Sequence, residues 1–207
     1  MGAVVSAERP VVVAVTGASG APYAVRLLQV LAELRQPVWL IISSHGYRLL
    51  STEVGIANQA ALREAVGAAA WDAHIRVYDD NDRGALPASG SVRTRGMVIC
   101  PCSMGTVASI AAGTSRSLVE RAADVVLKER RKLIVVPRET PLSQIHLENL
   151  LRITQAGAVV LPAAPGFYHK PQAISDLVDF VVARVLDQLD LDHAVGRRWQ
   201  GDAPRQA

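Results

Sequence analysis

Residues 11–23 read VVVAVTGASGAPY, and this stretch sets the fold. The apolar run Val11–Val15 has the length and β-branching of a buried strand. It ends in Thr16-Gly17-Ala18-Ser19-Gly20 and passes straight into a helical pattern. Strand, tight glycine turn and helix N-terminus in that order suit an anion. Glycine lets backbone approach a ligand, and the N–H groups of a first helical turn point outward. Ser19 adds a hydroxyl that can cap the helix or bond a ligand. Many nucleotide and flavin folds begin this way, so the turn alone leaves the ligand open.

The same alternation continues. Further strands are expected at Val38–Ile42, Ile75–Tyr78, Met97–Cys100, Leu133–Val136 and Ala158–Leu161. Helices are expected at Ala21–Leu34, from Tyr47 through Glu53, Ala60–Ala69, Thr106–Ala112, Leu118–Arg130, Gln144–Gln155 and Ile174–Leu189. Continuous apolar strands alternating with helices predict a parallel sheet covered on both faces. The expected fold is a three-layer, Rossmann- or flavodoxin-like α/β single domain over residues 10–190. A leader (1–9) precedes it and a tail (191–207) follows. Ligands of such sheets sit at the carboxyl ends of the strands. That edge collects Ser19, Ser43, Ser103, Thr106, Arg138, Glu139 and Tyr168. The polar stretch 79–95 is a long loop, of the kind that often carries function.

Composition narrows the classes. With 207 residues, 50% hydrophobic and 20% charged, the chain is rich enough in apolar residues to suggest buried contacts between subunits. No apolar run approaches the roughly 20 residues of a membrane span, and no secretory signal opens the chain. Met1–Ser6 fits a loose myristoylation pattern, read as a chance match. Net charge is +3, and arginine supplies 19 of the 22 basic residues, which we attribute to general composition bias. There is no basic tail and aromatics make up 4%, so nothing resembles a nucleic-acid footprint. Cys100 and Cys102 are too close in sequence for a zinc pair or a redox CxxC, and a reducing cytoplasm is expected.

TGASG resembles the opening of short-chain dehydrogenases. However, Tyr23, Tyr47, Tyr78 and Tyr168 all lack a lysine four residues on. No glycine-lysine-Ser/Thr stretch provides a P-loop, and no histidine, cysteine and carboxylate spacing suits a metal. The five histidines read as structural or exposed, with His146 a possible helix cap. Glu139 follows Arg138 directly after a buried strand, between Pro137 and Pro141, where an acid and a base can move protons. Arg121 and Lys128 share one helix face and can reach a phosphate together. Arg184 edges the stripe Leu177, Val178, Val181, Val185 and Leu189. That stripe extends to Val182 and Leu186, wider than one sheet face needs, which favours packing on another subunit.

Together these motifs resemble the UbiX/Pad-type flavin prenyltransferases from Val11 to about Trp199. The matching stretches are Thr16–Ala21, Ser43, Thr52-Glu53, Pro101–Thr106, ERAADV (120–125), LKERR (127–131), VPRETP (136–141), PGFYH (165–169) and Arg198-Trp199. Departures are a longer leader, Ser44-His45-Gly46, and an unaligned stretch over 57–70. The resemblance implies a metal-independent enzyme that joins the dimethylallyl group of dimethylallyl phosphate to N5 and C6 of reduced FMN. It places FMN against Gly17, Ala18, Ser19, Ser43, Ser103, Met104, Gly105, Thr106 and Arg138. It places the substrate phosphate against Arg121, Lys128, Tyr168 and Arg184. Ser19, Glu53 and Glu139 are implied as the proton-handling, catalytic groups. It further implies a homododecamer with sites shared between subunits. The prenylated FMN would go to a UbiD-type decarboxylase, in ubiquinone synthesis or aromatic-acid breakdown. An FMN-binding decarboxylase relative and a non-catalytic flavin carrier subunit are the alternatives.

Overall fold

The computed structural model describes residues 9–196. The leader to residue 8, with the Met1–Ser6 pattern, and residues 197–207, with Arg198-Trp199, lie outside the described residues. Six parallel strands form the sheet: β1 (Val11–Val15), β2 (Val38–Ile42), β3 (Ile75–Tyr78), β4 (Gly96–Cys102), β5 (Leu133–Pro137) and β6 (Val159–Val160). Their order is β3-β2-β1-β4-β5-β6. The order therefore reverses between β1 and β4, and a crevice opens there at the carboxyl edge.

The apolar runs are continuous because both faces are covered. Along β1, Val11, Val13 and Val15 enter one core while Val12 and Ala14 enter the other. The first core is closed by α1 (Ala21–Glu33), α2 (Ser44–Val54), α3 (Gln59–Val66), α4 (Ala68–His74) and α8 (Ile174–Gln188). The second is closed by α5 (Met104–Ala111), α6 (Leu118–Lys128) and α7 (Gln144–Gln155). His146 does complete a cap: Ser143 Oγ accepts from His146 N, and His146 Nδ1 accepts from Ser143 N.

Two expectations change, and one loop gains a structural role. The alanine-rich helix is two helices, because Gly67 at φ +106° breaks it. The wide stripe of α8 is spent inside this chain: Val178, Val181, Val182, Val185, Leu186 and Leu189 are all buried in the α1–α8 core. Exposed large apolar side chains lie off this stripe, at Ile145, Leu147 and Leu151 of α7, at Phe167 and at Ile174, the first residue of α8. The loop 79–95 is a structural strap for α6. Asp80 accepts from Leu118 N through its carbonyl and from Val119 N through Oδ1. Arg131, beyond the other end of the helix, donates to the carbonyls of Gly90 and Val92.

Candidate active site

Thr16, the last residue before the first turn, ties the crevice together. Its hydroxyl donates to Pro101 O at 3.1 Å and accepts from Ser103 N at 2.9 Å. It is 3% exposed, so these bonds form away from water and fix the turns after β1 and β4 against each other. Sequence reading treated Thr16 only as the start of a turn, because its partners lie 85 and 87 residues away.

The β1–α1 turn is not a vacant anion cradle. Glu53, near the end of α2, reaches across so that its Oε2 accepts from Gly20 N at 2.9 Å and Ala21 N at 2.8 Å. The anion held at the start of α1 is thus the protein's own carboxylate. Partial burial pushes the Glu53 carboxyl up. The Gly20 N–H, the Ser19 side chain, the Ala21 N–H and the Arg138 charge outweigh it, so the net shift is downward. Glu53 is ionised at neutral pH, and Ser19 and Arg138 converge on it.

The other two turns keep open helix starts. Ser43 caps α2 by accepting from Gly46 N at 3.1 Å. Ser103 caps α5 by accepting from Thr106 N at 3.2 Å, and its hydroxyl pairs with Thr106 Oγ1 at 3.0 Å. The N–H groups of the first helical turn ahead of these bonds have no intrahelical acceptor. A Cβ on Gly105 would meet only Ser103 Oγ, at 3.9 Å, so the ground above α5 is open. On Gly17 it would come within 2.5 Å of the His45 Cβ, so glycine there lets α2 start beside the first turn. Two helix N-termini, three hydroxyls and the exposed Arg138 form a donor set that fits the phosphate and polar ring edges of FMN.

Arg138 and Glu139 follow β5 at the same edge, both exposed. Among the described residues they form no ion pair with each other; Glu139 Oε1 accepts instead from Thr140 N at 3.1 Å.

The expected phosphate-binding residues are divided. Arg121 and Lys128 lie on α6, on one face of the sheet, and each is paired to a neighbour: Arg121 to Asp124 and Lys128 to Glu129. Tyr168 and Arg184 lie on the α8 side, bordering a cleft of about 270 Å³. In that cleft Tyr168 meets Phe180 edge-on at 5.9 Å, and His169 stacks on Phe180 at 5.5 Å. The two pairs thus lie on opposite faces of the sheet. Sequence reading missed Phe180, whose spacing marked it only as part of a helix.

A parallel sheet in this order, with capped helix starts around its switch point, defines a flavin- or nucleotide-binding α/β protein. The comparisons make this specific. The Flavoprotein family profile matches residues 4–186. Flavin prenyltransferase UbiX of Pseudomonas aeruginosa is 50% identical over 201 residues, covering 94% of this chain and 95% of that one. The crystal structure of AnUbiX (PadA1) in complex with FMN and dimethylallyl pyrophosphate is 41% identical. It superposes with a TM-score of 0.87 over 95% of this chain and 100% of the other. A dodecameric FMN-dependent UbiX-like decarboxylase from Escherichia coli O157:H7 is 44% identical, with a TM-score of 0.85 over 93% and 100% of the two chains. The chain belongs to the flavoprotein family, in its flavin prenyltransferase (UbiX) branch.

Among the described residues no group of three or more histidine, cysteine and acidic side chains could hold a metal ion. Nor, among them, is any helix long and apolar enough to cross a membrane.

Proposed function

We propose that this chain transfers the dimethylallyl group of dimethylallyl phosphate to reduced FMN. The observation that carries the reading is the convergence of Ser19, ionised Glu53 and Arg138 on a crevice walled by the capped starts of α2 and α5. Reduced FMN, when bound, supplies the nucleophilic N5 and C6 that take the prenyl group as phosphate leaves.

The chain's own residues do the rest. Gly17, Ala18 and Ser19 form one wall, and Ser43, Ser103, Met104, Gly105 and Thr106 offer hydroxyl and N–H donors to FMN. Arg138 adds a fixed positive charge. Glu53 already accepts two backbone N–H groups, so it stays charged and acts as a proton acceptor through the Ser19 hydroxyl, not as an acid. Glu139, exposed at the end of β5, has one oxygen tied to Thr140 N and the other open to exchange a proton. Arg121, Lys128, Tyr168 and Arg184 stabilise the departing phosphate with preorganised charge.

That Lys128 and Arg184 lie on opposite faces of the sheet supports a phosphate site that takes residues from more than one subunit. The chain is a homo-oligomer in this reading, a dodecamer like its Escherichia coli relative. The exposed apolar residues of α7 offer contact surface. The product passes to a UbiD-type decarboxylase, in the cytoplasm, where the buried free thiols of Cys100 and Cys102 stay reduced.

The test is direct. Protein, reduced FMN and dimethylallyl phosphate are mixed without oxygen, and the flavin is weighed by mass spectrometry. A prenylated flavin is expected. Folded, FMN-bound protein that yields no adduct would overturn the assignment.

A further inference from the structure

The cleft beside Arg184 contains a chain of side chains that no catalytic role yet uses. His193, just beyond α8, is 1% exposed at its side chain. Val195 N donates to its Nδ1 at 3.1 Å. Nδ1 is therefore the acceptor and the ring proton sits on Nε2. Nε2 faces Asp187 Oδ1 at 3.2 Å. The other oxygen of the same carboxylate, Oδ2, accepts from Arg184 Nη1 at 3.1 Å.

An exposed arginine paired three residues along a helix ordinarily gains little, since both long side chains must be ordered and water screens the charge. This pair is built differently. Arg184 is 56% exposed, but Asp187 is only 21% exposed and is held from behind by a buried imidazole. The imidazole is fixed in turn by backbone. The chain can return to this place because Gly196 takes φ +73°, a conformation that other residues rarely adopt. One guanidinium edge is anchored, and the remaining donors border the cleft with Tyr168. A planar fork held before its ligand arrives loses less freedom on binding.

We propose that Asp187, fixed by His193, is a positioning residue that aims Arg184 at the phosphate of the prenyl donor. This rests on the reading of Arg184 as a phosphate-binding residue. The alternative is that Asp187 and His193 merely dock the segment after α8 onto the helix.

The experiment measures the affinity of dimethylallyl monophosphate by calorimetry, alongside FMN affinity and thermal melting, on the intact oligomer. Asp187→Asn removes the charge at nearly constant shape. It is expected to weaken the prenyl phosphate about tenfold with FMN affinity unchanged. His193→Ala should do the same. His193→Gln, whose amide can take the place of Nε2, should restore affinity to within about threefold of wild type. In an Arg184→Ala background, Asp187→Asn should add less than about twofold, because the residue it positions is gone.

A lower melting temperature with unchanged prenyl phosphate affinity in Asp187→Asn and His193→Ala would show a docking role only and overturn the inference. So would an equal loss with and without Arg184. Should Asp187→Asn fail to fold, the His193→Ala and His193→Gln pair decides alone. If Arg184→Ala itself leaves affinity unchanged, the phosphate reading of Arg184 has failed first, and the single variant shows it.

Discussion

Glu53→Gln tests the main correction to the reading of the first turn. The carboxylate accepts from Gly20 N and Ala21 N at the start of α1. Bonds to a charged acceptor contribute roughly 1.5–3 kcal/mol each where buried, and a negative charge at a helix N-terminus adds about 0.3–1. Glutamine keeps a carbonyl oxygen for the two N–H groups, so only the charge is lost. Glu53 is also exposed, and solvent screening cuts the remainder. About 1 kcal/mol at pH 7 is expected, a fall of about 2–4 °C in melting temperature for a chain of this size.

The pH dependence has a definite sign. The native Glu53 carboxyl titrates below its ordinary value of 4.5. Its contribution is complete above the unfolded-state pKa and is lost as pH falls through the lower folded-state pKa. Glutamine has no such titration. The gap between wild type and variant should therefore be full at pH 7 and close as the pH falls below 4.5 and through the lower folded-state pKa. Urea midpoints at matched protein concentration measure it, since oligomers are concentration-dependent. A variant equal to wild type at pH 7, or a gap that widens in acid, would refute the reasoning.

Thr16→Val keeps shape and keeps the backbone bond from Thr16 N to Pro101 O, but leaves Ser103 N without its acceptor in a buried place. A cost of about 1–3 kcal/mol is expected, with FMN affinity about tenfold weaker by fluorescence titration; wild-type values for both would remove Thr16 as the tie of the crevice. Gly17→Ala should cost about 1–3 kcal/mol in chemical denaturation, because its Cβ would press to 2.5 Å of the His45 Cβ; no loss would mean that α2 yields freely. Burial pushes the Cys100 thiol up to about 12, and the Cys102 thiol also upward. Neither should react with iodoacetamide at pH 8 until urea unfolds the chain, and labelling of the folded protein would contradict that.

Local signals carried the fold far. The strands β1 and β2 match their expected ends because double-sided burial makes each an unbroken apolar run; β3 matches too, although it is an edge strand with an exposed Arg76. β4 runs on past Cys100 through Pro101 to Cys102, where proline reads as a stop. β6 is only two residues long, shorter than its apolar run. Strand order was beyond local pattern, since periodicity carries no record of which strands pair. The same limit governs the site. Ser43 and Ser103 were visible as small hydroxyl residues after strands, and both prove to be helix caps. The grip of Glu53 on α1 spans more than thirty residues, and the tie from Thr16 to Pro101 spans 85. Such contacts are set by the packed sheet. The stripe of α8 misled for a related reason: its width measures how much apolar surface the helix buries, and α1 takes the share first assigned to another subunit.

The placement of the proposed phosphate-binding residues on two faces of the sheet leads to a test of how the site is assembled. α6 packs on one core and α8 on the other, so the sheet lies between Lys128 and Arg184. If one phosphate needs both residues, they come from different subunits. Lys128→Ala and Arg184→Ala oligomers should each be nearly inactive. Dissociated, mixed in equal amounts and reassembled, they should recover activity. Each site draws the two residues from two chains, so random mixing leaves about one site in four with both intact. Recovery near a quarter of wild-type activity is expected. Mixed oligomers that form, as shown by native mass spectrometry, yet recover nothing would place both residues in one chain's site and refute the division drawn from the fold.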